Sequence, residues 1–445
     1  MIKHMIIAMG WLIGASFSFA SGAEDLLAVY RLAQENDKQY REAIEGNRVA
    51  REQRPQALAA LLPEVRLEIS GSETDRDIRE GGLYRSEGQA GFTGTDMMLS
   101  VAQPIFRRDR WIGLEEAEGR VKHADLALEL AQQELMLRAA ERYFLALWAE
   151  EGLAVARSEN EATNRQLQQT QKRFEVGLIA MTDVQEAKAR FDLAVVGEIE
   201  ASAEFENARA ALREITGQAS LALVPLGEKI PVAPPKPGNP EQWIEIGFGR
   251  NLEIAMARQE EEVARTGIRR ASAEHLPTLD LVGTHQRAAN SADQYGKSDV
   301  RTSSLMLQLK LPIYQGGLVM SRTREARHLH AQAVEKLAGA RRAVRRKLQE
   351  TFQGVVIGVS RVNALRQALA STETALEAVR KGFQLGMRTS VDVLDAQRDL
   401  FRAKKDYTGA RYMYILDTLR LEQAAGTLSE EDLVTVNGWL DKTAS

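Results

Sequence analysis

All eleven prolines of this chain are confined to a few places: Pro55 and Pro63, Pro104, a cluster from Pro225 to Pro240, Pro277 and Pro312. Two proline-free tracts remain, residues 105–224 and 313–445. Proline removes a backbone donor and clashes with the preceding helical turn, so its absence permits helices of unusual length. Apolar residues keep a three-four rhythm in these tracts: Leu130, Leu137, Ala140, Phe144 and Leu147; Leu365, Leu369, Thr372, Leu376, Val379 and Phe383; Val393, Ala396, Leu400, Ala403, Tyr407, Ala410 and Tyr414. Such spacing predicts coiled-coil packing.

Each tract carries one strong break, and the breaks match. Arg173-Phe-Glu-Val-Gly177-Leu178-Ile-Ala-Met-Thr182-Asp183-Val184 aligns with the segment from Lys381 through Phe383, Gly386, Arg388 and Asp392 to Val393 at an offset of 209 residues. The chain is therefore read as an internal duplication. Gly177 and Gly386 suit the left-handed end of a helix, and Thr182 with Gln185 has capping-box spacing for the next one. Each tract reads as a helical hairpin whose first arm, residues 110–176, would be on the order of 100 Å long. That length suits a rod or tunnel.

Four short alternating segments precede the hairpins, two per half. Val65, Leu67 and Ile69 alternate with Arg66, Glu68 and Ser70, and Met97, Leu99 and Val101 follow in the first half. The second half has Leu279 and Leu281, then Leu305, Leu307, Leu309 and Leu311. A period of two with one oily face fits strands between lipid and water. The connections, 73–95 and 286–302, are polar and read as exposed loops. Four strands cannot close a membrane barrel, for which about eight is the lower limit, so lipid-embedded strands would need other copies of the chain to satisfy their edges. The other reading of these segments is a soluble four-stranded sheet packed on helices.

The N-terminus directs the chain out of the cytoplasm. Lys3 and His4 precede an apolar run from Met5 to Ala15 and small residues up to Ala20 and Ala23, the pattern of a signal peptide over 1–23, cleaved after Ala20 or Ala23. The run is short for a membrane anchor, which needs about 20 residues. Cysteine is absent, and the net charge of −4, about −5 once Lys3 is lost, argues against nucleic acid as a partner. No catalytic, phosphate-binding or dinucleotide motif is present, so an enzyme and a cofactor are not expected. His328 and His330 stand two apart on a helix and are not expected to share a metal. The basic run Arg341, Arg342, Arg345, Arg346 and Lys347 reads as a solvated helix face.

The expected organisation is a first repeat over 24–219 (strand-loop-strand 64–104, hairpin tip near 177–183) and a proline-rich equatorial linker over 220–240. A second repeat follows over 241–428 (strand-loop-strand 277–312, tip near 386–392), then an equatorial C-terminal segment over 429–445. Asp392 and Asp395, three apart, share a helix face just after the second turn. One reading is that they are carboxylates at the positive end of a helix. If the tips converge on an axis in an oligomer, they form rings of like charge that select cations and gate passage.

The motifs around Arg173 to Gln185, Leu311-Pro-Ile-Tyr-Gln-Gly-Gly317, Gly386 to Ala396 and Leu276-Pro-Thr-Leu-Asp-Leu281 resemble the TolC-like family of outer-membrane efflux and type I secretion channels. The resemblance runs from Glu24 to about Trp439. It implies an α+β membrane protein: a homotrimer with a 12-stranded transmembrane β-barrel, four strands per chain, continuous with a periplasmic α-helical coiled-coil barrel. The implied partners are outer-membrane lipid, a periplasmic adaptor and an inner-membrane ABC or RND-type transporter. By match to the family motif, Asp392 and Asp395 correspond to entrance rings, and Gln166, Thr182, Asp183, Phe383 and Arg388 to a network latching the closed state. Gly177, Leu178 and Gly386 correspond to tips that meet the adaptor. Phe383 stands where the family has a tyrosine, so the missing hydroxyl shifts the expected latch toward Arg388 and favours easier opening. A periplasmic coiled-coil scaffold would also explain the heptads, but has no use for the strand pairs. A hydrolase would need a nucleophile and base that are not found.

Overall fold

The computed structural model describes residues 23–79, 88–218, 221–293 and 296–441. Most of the expected signal peptide, including one of its two cleavage points, lies outside them. The first half contains α1 (Leu26–Asn36), α2 (Lys38–Arg51), α3 (Gln53–Ala59), β1 (Glu64–Ile78), β2 (Gly88–Phe106), α4 (Arg108–Glu175) and α5 (Met181–Thr216). The second contains α6 (Pro240–Arg250), α7 (Leu252–Ala273), β3 (Thr278–Asp293), β4 (Gly296–Lys310), α8 (Leu318–Gln384), α9 (Ser390–Ala425) and α10 (Glu430–Asn437). The two halves match in their long helices: α4 and α8 have 68 and 67 residues, and α5 and α9 have 36 each. At ~1.5 Å per residue the longer pair spans on the order of 100 Å. The shorter pair returns only part of the way from the tips, and α2 and α7 pack along the remaining length of α4.

The four strands form one antiparallel sheet in the order β1-β2-β3-β4, which leaves β1 and β4 as its edges. Register pairs Val65 with Val101, Leu67 with Leu99, and Ile69 with Met97; Leu279 faces Leu309 and Leu281 faces Leu307. Despite this pairing, Val65, Leu67 and Ile69 remain 54–66% exposed and Leu305, Leu307 and Leu309 64–76%, so nothing in the single chain covers the oily face.

The strands run far into the segments read from sequence as loops, and 73–79, 88–95, 286–293 and 296–302 are largely ladder rather than connection. Backbone pairing carries these distal parts, reinforced by polar cross-strand contacts such as Arg287 to Asp299 at 2.8 Å and Gln286 to Asp96 at 2.6 Å. A strand facing water on both sides needs no alternation of apolar residues, so the period-two signal vanishes there. The 19 residues of β2 extend about 60 Å, roughly twice the hydrocarbon thickness of a bilayer. Only the helix-proximal half carries the oily rows.

The main core lies at a waist where α1, α6, α10 and the linker after α5 gather around the long helices. Tyr143, Phe144, Leu348, Ile415, Leu419 and Leu433 are fully buried there, with Tyr143 and Phe144 edge to face at 5.3 Å. The Tyr143 hydroxyl donates to the Val224 carbonyl at 2.7 Å, which ties the linker to α4. Arg138 grips the buried Asp37 carboxylate with two bonds of 3.0 and 3.1 Å. The C-terminal segment follows the linker, with Gly227 N–H donating to the Trp439 carbonyl and Asp441 N–H to that of Pro225, each at 2.9 Å. Among the described residues no helix is long and apolar enough to cross a membrane.

Candidate functional site

The hairpin turns are built the same way. Gly177 and Gly386 adopt φ of 75° and 74°. Leu178 N–H returns to the Arg173 carbonyl at 2.9 Å and Met387 N–H to the Gly382 carbonyl at 2.9 Å, which satisfies carbonyls that a helix end otherwise leaves open. Leu178 and Met387 project from the turns at 72% and 71% exposure. Both tips therefore present an uncovered apolar side chain.

The restarts after the turns differ. α9 begins with a complete capping box: the Asp392 carboxylate accepts from Thr389 N–H at 2.8 Å and from its hydroxyl at 3.0 Å, while Thr389 Oγ1 accepts from Asp392 N–H at 3.2 Å. These bonds, aided by Arg388, hold the Asp392 carboxyl below the usual carboxylate range. α5 begins at Met181 after Ala180, which has no side chain with which to cap. The capping box expected from Thr182 and Gln185 is not formed. The helix starts two residues too early for it, at Met181 instead of Asp183, and the duplicate of Thr389 is Ala180.

Asp395 is engaged differently. Its carboxylate accepts from Arg190 of α5 at 2.9 Å and lies 3.5 Å from Arg398 of its own helix. The Arg190 bond crosses from one hairpin to the other. Asp392 thus serves its helix end, while Asp395 joins two hairpins, and both side chains stay about 40% exposed.

The remaining predicted residues gather only in part. Gln166 is buried on α4 and lines the same groove as Phe383, on α8. The Phe383 ring lies under the Arg173 guanidinium at 4.3 Å, a cation–π contact between the hairpins. Arg388 lies 3.9 Å from Asp392, one turn along. Among the described residues it makes no bond to Gln166, Thr182 or Asp183 within the chain. Thr182 is exposed and Asp183 half-exposed on the first turn of α5. The sequence gives no sign that Arg190, Arg173 or Gln397 belongs to the site. Arg173 and Phe383 both stand in the repeated motif, but nothing in its spacing says that one lies on the other. Among the described residues no group of His, Asp or Glu is arranged to hold a metal ion.

The family model described as outer membrane efflux protein matches residues 29–218 and 243–427. Outer membrane protein TolC of Vibrio cholerae is 37% identical over 430 residues, covering 96% of this chain and 96% of that protein. The alkaline protease secretion protein AprF of Pseudomonas aeruginosa is 29% identical over 443 residues, covering 96% and 90%. Among solved structures, the outer membrane protein VceC of Vibrio cholerae superposes with a TM-score of 0.76 at 19% identity, over 90% of this chain and 96% of that one.

Proposed function

The chain belongs to the outer membrane efflux protein family, and from that premise we propose that it is one of three identical subunits of an exit duct closed at its hairpin tips. It is an outer-membrane protein of the efflux and type I secretion class. The observation that supports the trimer is the sheet: two unpaired edges, β1 and β4, and an uncovered apolar face. An open edge in hydrocarbon leaves backbone groups unbonded at several kcal/mol each. Three copies joined β4 to β1 make twelve strands with no edge.

In this reading the helices continue the barrel as a periplasmic tunnel. Asp392 and Asp395 form two acidic rings at its entrance, selecting cations by their summed charge. The Arg173–Phe383 contact, the Arg190–Asp395 pair and the network of Gln166, Thr182, Asp183 and Arg388 hold the tips closed. The apolar tip residues beside Gly177 and Gly386 meet a periplasmic adaptor, and an inner-membrane ABC or RND-type transporter supplies energy and chooses the cargo. The duct itself does no chemistry.

The test is reconstitution of the purified full-length protein in planar bilayers. The expected result is a small cation-selective conductance, blocked by a trivalent cation from the periplasmic side, with block relieved in Asp392→Ala/Asp395→Ala. Absence of conductance from a protein that is monomeric in detergent would overturn the assignment.

A further inference from the structure

We propose that the groove between α4, α8 and α9 near the tips is a binding site for a small oxyanion of the hydrogen-phosphate class. The groove has a volume of about 580 Å³ and is lined by Arg165, Lys172, Arg173 and Arg380, with no carboxylate on its walls. Arg165 has Glu161 at 3.6 Å; Lys172, Arg173 and Arg380 have no acidic partner among the described residues. Three cations without an acidic partner, brought to one groove by α4 and α8, favour the entry of an anion. Arg173 offers one face of its guanidinium to Phe383, which leaves its in-plane N–H donors free for an oxyanion.

Two buried amides complete the site. Gln166 and Gln397 line the groove at 6% and 7% exposure. The Gln166 Nε2 donor and the Gln397 Oε1 acceptor are buried without a partner, a costly condition for buried polar atoms. One lacks an acceptor and the other a donor. Hydrogen phosphate supplies both, since its oxygens accept from Nε2 and the cations while its P–OH donates to Oε1. Sulfate and carboxylate only accept. The walls come from both hairpins, so a bound anion would fasten one to the other. The groove exceeds a bare phosphate in size and so also admits a phosphate monoester.

Calorimetric titration of the full-length protein in detergent, at constant ionic strength, tests this with inorganic phosphate in one arm and glycerol phosphate in a second. Saturable binding near one per chain is expected, with the tighter arm identifying the source. Lys172→Gln/Arg380→Gln should weaken it by roughly tenfold or more, the loss expected for removing charge-assisted bonds. Both side chains are exposed, so the fold should survive, which helicity and oligomer size will verify. Gln397→Leu should reduce the preference for phosphate over sulfate. No saturable binding in either arm, undiminished binding by the double variant, or saturable binding of an acidic peptide alone would overturn the proposal.

Discussion

Removing Arg190 should loosen the closed entrance and sharpen its cation selectivity at the same time. Arg190 and Asp395 meet at 2.9 Å with side chains 30% and 41% exposed, so the pair belongs with surface salt bridges worth about 0.2–1 kcal/mol. In the proposed trimer three such pairs must break together as the hairpins separate, so a middle value of about 0.5 kcal/mol each sums to roughly 1.5 kcal/mol, or about tenfold in the open-to-closed ratio. Arg190→Ala and Asp395→Asn both delete the pair, but they change the ring charge in opposite senses. The first leaves Asp395 with only its longer contact to Arg398, at 3.5 Å, and the second neutralises it. Single-channel recording in bilayers should show open probability rising in both variants, with cation selectivity raised in Arg190→Ala and lowered in Asp395→Asn. Because the Debye length falls from ~10 Å at 0.1 M salt to ~3 Å at 1 M, the differences from wild type should shrink at high salt. Unchanged open probability in both variants, or selectivity moving the same way in both, would refute the assignment of this pair to the closed state.

Ala180→Thr should stabilise the first hairpin by about 1 kcal/mol, since Asp183 already stands where Asp392 completes the box in the second half; hydrogen exchange at the first turn of α5 should slow several-fold, and unchanged exchange would count against it. Glu422 supplies a pH-dependent case. Burial, and then Asp432, push its carboxyl up to about 7 from 4.5. A carboxyl raised in the folded state binds its proton more tightly there than in the unfolded chain, so stability is full below pH ~4.5 and falls as pH rises toward ~7, by about 3 kcal/mol in all. Glu422→Gln should therefore raise the melting temperature at pH 8 and leave it unmoved at pH 4, and an equal shift at both would show that ionisation is not the cause.

The long helices were legible in the sequence because nothing interrupts them: no proline enters 105–224, and Ala140, Phe144, Leu147, Leu400 and Tyr414 do turn inward. The turns were legible because glycine alone accepts the left-handed backbone cheaply, and Gly177 and Gly386 stand at matching places. What failed to show were contacts set by how one hairpin rotates against the other. A heptad fixes which residues meet within a coiled coil but not which face of α5 meets α9, so Arg190 gave no sign of its partner. At the waist, Tyr414 read as one more heptad residue, yet its hydroxyl also engages the linker, accepting from Ala233 N–H at 3.1 Å and donating to the Ala233 carbonyl at 2.9 Å. The distal strands escaped notice because polar ladders carry no amphipathic rhythm.

Packing along the rod also bears on where it can move. The waist buries large side chains from both repeats together with the linker and the C-terminal segment, and the buried Asp37 there is paired with Arg138. Near the tips the buried apolar cluster shrinks to Leu167, Ala187 and Leu394 with Phe191 beside it. The interior there holds amides with open hydrogen-bond positions and polar ties between hairpins, each worth about a kcal/mol or less. Elements that move are drawn from the less stable parts of a fold. Separating the hairpins near the tips exposes little apolar surface, whereas parting them at the waist would expose the principal core, so in the proposed duct opening is expected at the end of the rod that carries Asp392 and Asp395.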